Sequence, residues 1–414
     1  QKHILENLPK LIASEKKIEA QQGAVQSTQG QFDNKIKAKT QNRFENKYDN
    51  QFHDVQLSKQ NKLLGSRLFL GHRQGTGLFP IYDQKYETTS VGEIYAGINL
   101  PLLRDLITDE YRTNHEIQLL ELKIKEQQWR MDAMEVLMAA FSKYTKWIET
   151  ASKLKIYRDL YETAEQRQTL FEKRFKAGDI EKIKLSDNQR SLSKRKAEFL
   201  SAELNWRNAT LELANYYPLA NQINLKDVPD TSITSLSPSS GKMNRDVLPQ
   251  FEIIKFEKDQ LEQKVRYYQS QALPELSLTV EGARDIGRYR YDRDPDQLRL
   301  GVQIEIPIEN NKARGEITES RLKKKAIDYQ LDWLNRLWEN QVSGLNNEIK
   351  ISSDSLRELE TVVENSQKMS NAERIRLREG DGDLFVVNIR EQDEAEARIK
   401  FLETKMSLQR SLYN

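Results

Sequence analysis

The stretch Gln297-Leu298-Arg299-Leu300-Gly301-Val302-Gln303-Ile304-Glu305-Ile306-Pro307 sets an apolar side chain at nearly every second position and stops at a proline. A period of two marks a β-strand with one apolar and one polar face. Upstream, Glu275-Leu276-Ser277-Leu278-Thr279-Val280-Glu281 alternates in the same way, and the polar run from Arg284 to Asp296 joins the two into a hairpin over 274–307. Beyond Pro307 the period lengthens. Val342, Leu345, Ile349, Leu356, Leu359 and Val363 step by three, four and seven, which is a helical heptad seam. Ten residues tilted by ~45° cross a bilayer, and a barrel strand between lipid and water needs this alternation. A soluble hairpin with one buried side has the same pattern.

The same plan stands earlier in the chain. Ile94, Ala96, Ile98 and Leu100 alternate with Glu93, Tyr95, Gly97 and Asn99 before Pro101, and Lys35-Ile36-Lys37-Ala38-Lys39-Thr40-Gln41 is a weaker partner. The expectation is an extended hairpin over 35–101. Its interval from Asn42 to Ser90 is long, and Gly71-His72-Arg73-Gln74-Gly75-Thr76-Gly77-Leu78-Phe79-Pro80 within it reads as an external loop or a strand extension, with an extended hairpin carrying a long external loop as the favoured reading. Two Gly-Asp turns, Arg174-Phe175-Lys176-Ala177-Gly178-Asp179 and Arg376-Leu377-Arg378-Glu379-Gly380-Asp381, lie 202 residues apart, the separation that also relates Phe199-Leu200 to Phe401-Leu402. Pro101 and Pro307 are 206 apart and Pro9 and Pro249 are 240 apart, so the first half holds about 34 extra residues. The sequence thus divides into a first repeat (1–217, tip near 178), a linker (218–248) and a second repeat (249–414, tip near 380). The linker is rich in Pro and Ser, as in Ser235-Leu236-Ser237-Pro238-Ser239-Ser240-Gly241.

Between Pro101 and Gly178 neither Pro nor Gly interrupts, and a continuous helix there would span roughly 110 Å. Its apolar positions form two stripes. One runs through Ile117, Leu120, Ile124, Met131, Met134, Met138, Phe141 and Ile148, the other through Leu119, Leu122, Trp129, Ala133, Val136 and Ala140. A helix with two stripes packs on two neighbours, where a surface helix needs one. After the first turn, Leu185, Leu192, Phe199, Trp206 and Leu213 recur every seven residues.

Composition agrees with long helices and excludes several classes. In 414 residues there are only 17 Gly and 10 Pro, and the hydrophobic fraction is 37%, below the roughly 45–50% of a globular chain. The 65 Lys and Arg nearly cancel the 63 Asp and Glu, which argues against a nucleic-acid partner. Mean hydropathy is −0.78. The best apolar run, Val136-Leu137-Met138-Ala139-Ala140-Phe141, is far short of a membrane helix. With no cysteine, the chain as given has no disulfide, thiolate metal site, cysteine nucleophile or lipidated cysteine. Gln1-Lys2-His3-Ile4-Leu5-Glu6 has no secretory pattern, so a leader was removed or none existed.

Two hairpins give four strands, too few to close a useful barrel. Open strand edges in lipid cost several kcal/mol for each unpaired group, so other copies must complete the sheet. Three copies would supply twelve strands in a cyclic homotrimer. At this point the chain resembles the TolC-like outer-membrane efflux factors of Gram-negative bacteria. The resemblance rests on the repeat, on the strand-to-helix junctions Leu100-Pro101-Leu102-Leu103-Arg104-Asp105 and Ile306-Pro307-Ile308-Glu309-Asn310, on Leu273-Pro274-Glu275, and on the glycine turns followed by heptad helices. Asn34 and Lys35 stand where Pro274 stands in the second half. The resemblance implies an α+β fold with very long antiparallel helical hairpins forming an α-barrel, and a transmembrane β-barrel of four strands per chain. It also implies an outer-membrane channel reaching into the periplasm, in contact with outer-membrane lipid. A periplasmic adaptor and an inner-membrane pump would be its partners in efflux or type I secretion. The alternatives are a soluble elongated coiled-coil scaffold and, further off, a channel-forming toxin.

The resemblance places adaptor docking at the tips, here Arg174, Lys176, Ala177, Gly178, Asp179, Arg378, Glu379 and Gly380. Glycine also simply caps helices. It places acids at the channel aperture, here Asp381, Asp383, Asn388 and Glu391, the last two at i and i+3 on one helix face. Asn388 stands in place of an acid and one extra residue is needed for alignment, so Asp381 and Asp383 are preferred. No catalytic constellation emerges. Asp292, Asp294 and Asp296 begin like a calcium loop, but Gln297 and Gln303 replace the required Gly and Glu. The Gly71–Gly77 run lacks dinucleotide-binding spacing, and His3, His53, His72 and His115 share no ligand spacing. The expectation is a chain that is not an enzyme and holds no cofactor or metal.

Overall fold

The computed structural model describes residues 2–44, 47–80, 85–229, 245–287 and 295–413. In chain order these are α1 (Lys2–Asn7), α2 (Pro9–Gln29), β1 (Asn34–Arg43), β2 (Asn50–Gln60), β3 (Arg67–Gly77), β4 (Glu93–Pro101), α3 (Glu110–Lys176), α4 (Lys182–Ala214), α5 (Pro249–Gln271), β5 (Glu275–Asp285), β6 (Asp296–Glu305), α6 (Asn311–Glu379) and α7 (Leu384–Tyr413). The chain divides into two compact units, one of residues 1–12, 131–243 and 334–414, the other of 13–130 and 244–333.

Among the described residues the second unit holds every strand, in one antiparallel sheet ordered β1-β2-β3-β4-β5-β6. The sequence pattern predicts four strands per chain; the described residues form six. The interval read as a long external loop contains β2 and β3, paired over eleven positions from Asn50↔Gly77 to Gln60↔Arg67. Their period is hidden for a physical reason. One face of β2 and β3 carries Gln51, His53, Lys59, His72, Gln74 and Thr76 among its aliphatic residues, and the other carries Phe52 and Phe69 among polar ones. The glycines that suggested a loop make room for rings. A Cβ on Gly71 would run into Tyr95, its direct partner in β4, and one on Gly97 would meet Phe69, its partner in β3.

Pairing brings the aliphatic residues of all six strands onto one face. Ile36 lies opposite Leu57, Leu57 opposite Leu70, Leu70 opposite Ala96, Ala96 opposite Gly282 and Gly282 opposite Leu298. Leu68, Ile98, Val280 and Leu300 form the neighbouring row. The opposite face is mostly polar, with Phe52, Phe69 and Ala283 among its charged and amide side chains. Both strand-to-helix junctions use one device: Asp105, after Pro101, and Asn310, after Pro307, adopt left-handed backbone with φ of 65° and 54°. Each anchors its turn to the end of α5. Gln271 Nε2 donates to Asp105 Oδ1 at 2.7 Å, and Asn310 Nδ2 donates to the Ala272 carbonyl at 2.7 Å.

The first unit is built on α3, α4 and α7. Trp147, Ile148, Ala151 and Leu154 pack with Ala202, Ala209 and Leu213 and with Leu402 and Met406. Trp147 is 2% exposed, and its indole N–H donates to Thr210 Oγ1 at 3.1 Å. Part of the expected linker belongs to this core. Residues 218–227 carry two short 3₁₀ turns, and Ala220, Leu225 and Val228 are buried against the helices. The Ser235–Gly241 stretch lies outside the described residues, as do Asp292 and Asp294.

Candidate functional site: a polar sheet face and two helical tips

On the polar face of the sheet, Arg73 of β3 and Glu93 of β4 stand directly opposite, as do Glu281 of β5 and Arg299 of β6. Arg73 Nε lies 2.7 Å from Glu93, and its Nη2 lies 2.7 Å from Glu281. Arg299 reaches the same carboxylates at 2.8 Å and 2.7 Å. Two cations and two anions close a neutral square that leaves Glu93 fully buried yet paired. Tyr86 lies over it: its hydroxyl donates to Glu93 at 2.5 Å and accepts from Arg299. Lys85 continues the strap across the face, donating to Gln41 of β1, its ammonium 5.1 Å from the Phe52 ring centre. Gly75 is glycine because a Cβ there would strike the Tyr86 carbonyl. These groups hold a fixed, wettable surface on the side opposite the aliphatic one.

In the first unit, the two helical turns are the same Schellman motif. Gly178 (φ 84°) ends α3, with Asp179 N donating to Arg174 O at 2.9 Å and Gly178 N to Phe175 O at 3.0 Å. Gly380 (φ 91°) ends α6, with Asp381 N donating to Arg376 O at 3.0 Å. Lys176, Ala177, Asp179, Arg378 and Glu379 are exposed around these turns, while Arg174 is half-buried. A groove of about 1090 Å³ runs between the turns, lined by Arg174, Asp179, Lys184, Asp381, Asp383 and Phe385 among others.

The four expected aperture residues separate into two pairs. Asp381 and Asp383 are exposed. Asp383 also caps α7, accepting from Phe385 N at 3.0 Å. Asn388 and Glu391 share a helix face as their spacing predicts, but that face turns inward. The Glu391 carboxylate has no exposure and lies 2.5 Å from Arg167 of α3, 2.8 Å from Arg195 of α4 and 2.9 Å from Arg374 of α6. Asn388 Oδ1 accepts from Arg167 at 2.9 Å and from Ser191 at 3.3 Å. In this conformation Glu391 therefore faces the helical packing, because three guanidinium groups enclose it. Burial raises the Glu391 pKa, but Arg167 and Arg195 outweigh it and hold the carboxyl below its ordinary value. Burial pushes Arg167 down from the usual arginine range.

No family model matches the chain, and no curated protein matches it. Solved structures do. The outer-membrane channel OprN aligns over 100% of this chain and 87% of its own, with a TM-score of 0.71 and 12% identity. The outer membrane protein VceC from Vibrio cholerae aligns over 99% and 93%, with a TM-score of 0.69 and 12% identity. The CmeC outer membrane channel of Campylobacter jejuni gives 99% and 82%, 0.62 and 14%. The chain has the fold of these outer-membrane channels. At such identities the likeness is one of fold, and it agrees with the TolC-like architecture that the sequence resemblance implies.

Sequence reasoning missed the two charge clusters. A signal for each was present. Glu281 and Arg299 occupy polar positions of recognised strands, and Asn188, Arg195, Ala202 and Ala209 recur every seven residues in α4, all buried. A polar pair at a buried heptad position is a cue to look for its partners.

Proposed function

We propose that the chain is one third of a passive outer-membrane exit duct, in which three copies close a barrel and substrates expelled by an energised partner leave through its polar bore. The observation that carries this is the two-faced sheet: an aliphatic face on all six strands and, opposite it, a polar face with paired charges. Lipid suits the first and water the second. Among the described residues no helix is long and apolar enough to cross a membrane, so the sheet is the spanning element in this reading.

Unpartnered stripes on the helices support assembly from copies. In the second unit, Leu322, Tyr329 and Trp333 of α6 are 60%, 74% and 62% exposed. In the first, Leu200, Leu204 and Leu211 of α4 are exposed at i, i+4 and i+11. Such rows are expected where a second helix docks. The fold shared with outer-membrane channels supports the same reading. Within it the two repeats, 1–217 and 249–414, are two turns of one plan. The tips around Gly178 and Gly380 would dock a periplasmic adaptor that links the duct to an inner-membrane pump, and Asp381 and Asp383 are the exposed acids left to face the aperture. Fractionation tests the proposal. Extraction from outer membranes only with detergent supports it; recovery from the soluble fraction without detergent would rule it out.

A further inference from the structure

The sheet ends at β1 and β6, and among the described residues each pairs with a strand on one side only. The two edges match. Each is ten residues long, and five successive antiparallel pairings leave them running in opposite directions. Ile36 on β1 is 77% exposed, and Leu298, Leu300, Val302 and Ile304 on β6 are 63–72% exposed, all on the aliphatic face. On the polar face, β1 presents Lys35, Lys37 and Lys39, and β6 ends in Glu305.

We propose that β6 of one copy pairs with β1 of the next in the register that sets Lys35 opposite Glu305 and Ile36 opposite Ile304. Three copies then close a ring of eighteen strands, six from each. The inference rests on the duct reading and fixes the geometry of its interface. This register differs from its neighbours in three ways. A slip of one residue would set aliphatic residues of one strand beside polar residues of the other and mix the two faces. A slip of two in one direction sets Glu305 opposite Asp33, acid against acid. A slip of two in the other also sets a lysine, Lys37, opposite Glu305, but it shortens the pairing of the two strands from nine positions to seven and sets Lys35 opposite Pro307, which has no N–H to donate. The chosen register pairs both strands nearly along their whole length and joins opposite charges at the bore side.

The edges cannot close within one chain. About eight strands already leave an interior just wide enough for side chains. Six strands would have no room for the Arg73, Glu93, Glu281 and Arg299 square with Tyr86 and Lys85 above it. Open edges in lipid cost several kcal/mol per unpaired group, so a second copy is the occupant that completes both edges at once.

The chain has no cysteine, which makes the register directly measurable. Opposed residues of an antiparallel pair have Cα atoms roughly 4.5–5.5 Å apart, within disulfide reach. Lys35→Cys and Glu305→Cys are introduced together, and also singly into two differently tagged chains expressed together. Oxidation of the double variant in outer membranes should turn most of the monomer into dimer and trimer bands on non-reducing gels, reversed by reductant. The two single variants should cross-link only across tags, and the face-mismatched pair Ile36→Cys with Glu305→Cys should not cross-link. A particle of three copies without this cross-link, or with a disulfide confined to one chain, overturns the register while leaving the duct intact. A monomer stable without detergent overturns both. If the cysteine variants fail to assemble, the charge exchange decides: Lys35→Glu should weaken the heat-resistant oligomer, and Glu305→Lys added to it should restore it. Failure of that rescue counts against the pairing.

Discussion

Replacing Glu391 by Gln should loosen the helical packing beneath the tips far more than a surface substitution would. The carboxylate has no exposure, and the side chains of Arg167 and Arg195 are 9% and 3% exposed. Without the acid these two guanidinium groups stay buried with only neutral acceptors, the amide oxygens of Asn388 and of the introduced Gln and, for Arg195, the Leu160 carbonyl. Removing one partner of a buried ion pair costs roughly 3–5 kcal/mol, because the remaining charge is uncompensated. At about 1.4 kcal/mol per tenfold change, local opening of this region should become more frequent by two to nearly four orders of magnitude, ~10²–10⁴ times. Amide hydrogen exchange across Leu384–Arg398 of α7 reads that opening. Arg374→Gln is the internal control. Its side chain is 34% exposed, so water can replace the lost contact, and about 1 kcal/mol or less is expected. If Glu391→Gln exchanges like the parent, or no faster than Arg374→Gln, the buried knot does not hold these helices together.

The same carboxylate predicts an acid limit. Its pKa is lower in the folded protein than in the unfolded chain, so its contribution is complete above about pH 4 and is lost as pH falls through the depressed folded value. Protease cleavage near α7 should rise as the pH falls below about 4 in the parent, and Glu391→Gln should remove most of that step. Gly178→Ala meets open space, so its effect is the left-handed backbone alone, roughly 1–2 kcal/mol. Exchange should rise at the tip amides with the global melt unchanged; a large global loss would mean that the turn packs against more than itself. Gly71→Val forces the Tyr95 ring off β3 and breaks its 2.7 Å bond to Asp54. Overpacking of this kind costs about 1–3 kcal/mol and should lower the temperature at which the proposed oligomer dissociates on gels; an unchanged temperature would contradict the β3–β4 register.

What the sequence revealed follows the range of its signals. β5 alternates from Glu275 to Glu281 and β6 from Gln297 to Glu305, and the structure pairs them in one hairpin. The two Gly-Asp turns are legible because positive φ selects glycine at a helix end. β2 and β3 were not legible: imidazoles, a lysine and glutamine interrupt their aliphatic face, and their glycines matter only once the rings of Tyr95 and Phe69 are known to lie opposite. The face shared by Asn388 and Glu391 could be read from a spacing of three. Its inward direction could not, since it depends on Arg167 and Arg195, contributed by other helices far along the chain.

The proposed duct makes one chain an incomplete piece of a membrane-spanning ring, and mass measurement of the particle extracted from outer membranes in detergent decides it. Three chains of 48.4 kDa in each particle is the predicted result; a single 48.4 kDa chain, folded and monodisperse in buffer without detergent, would contradict it.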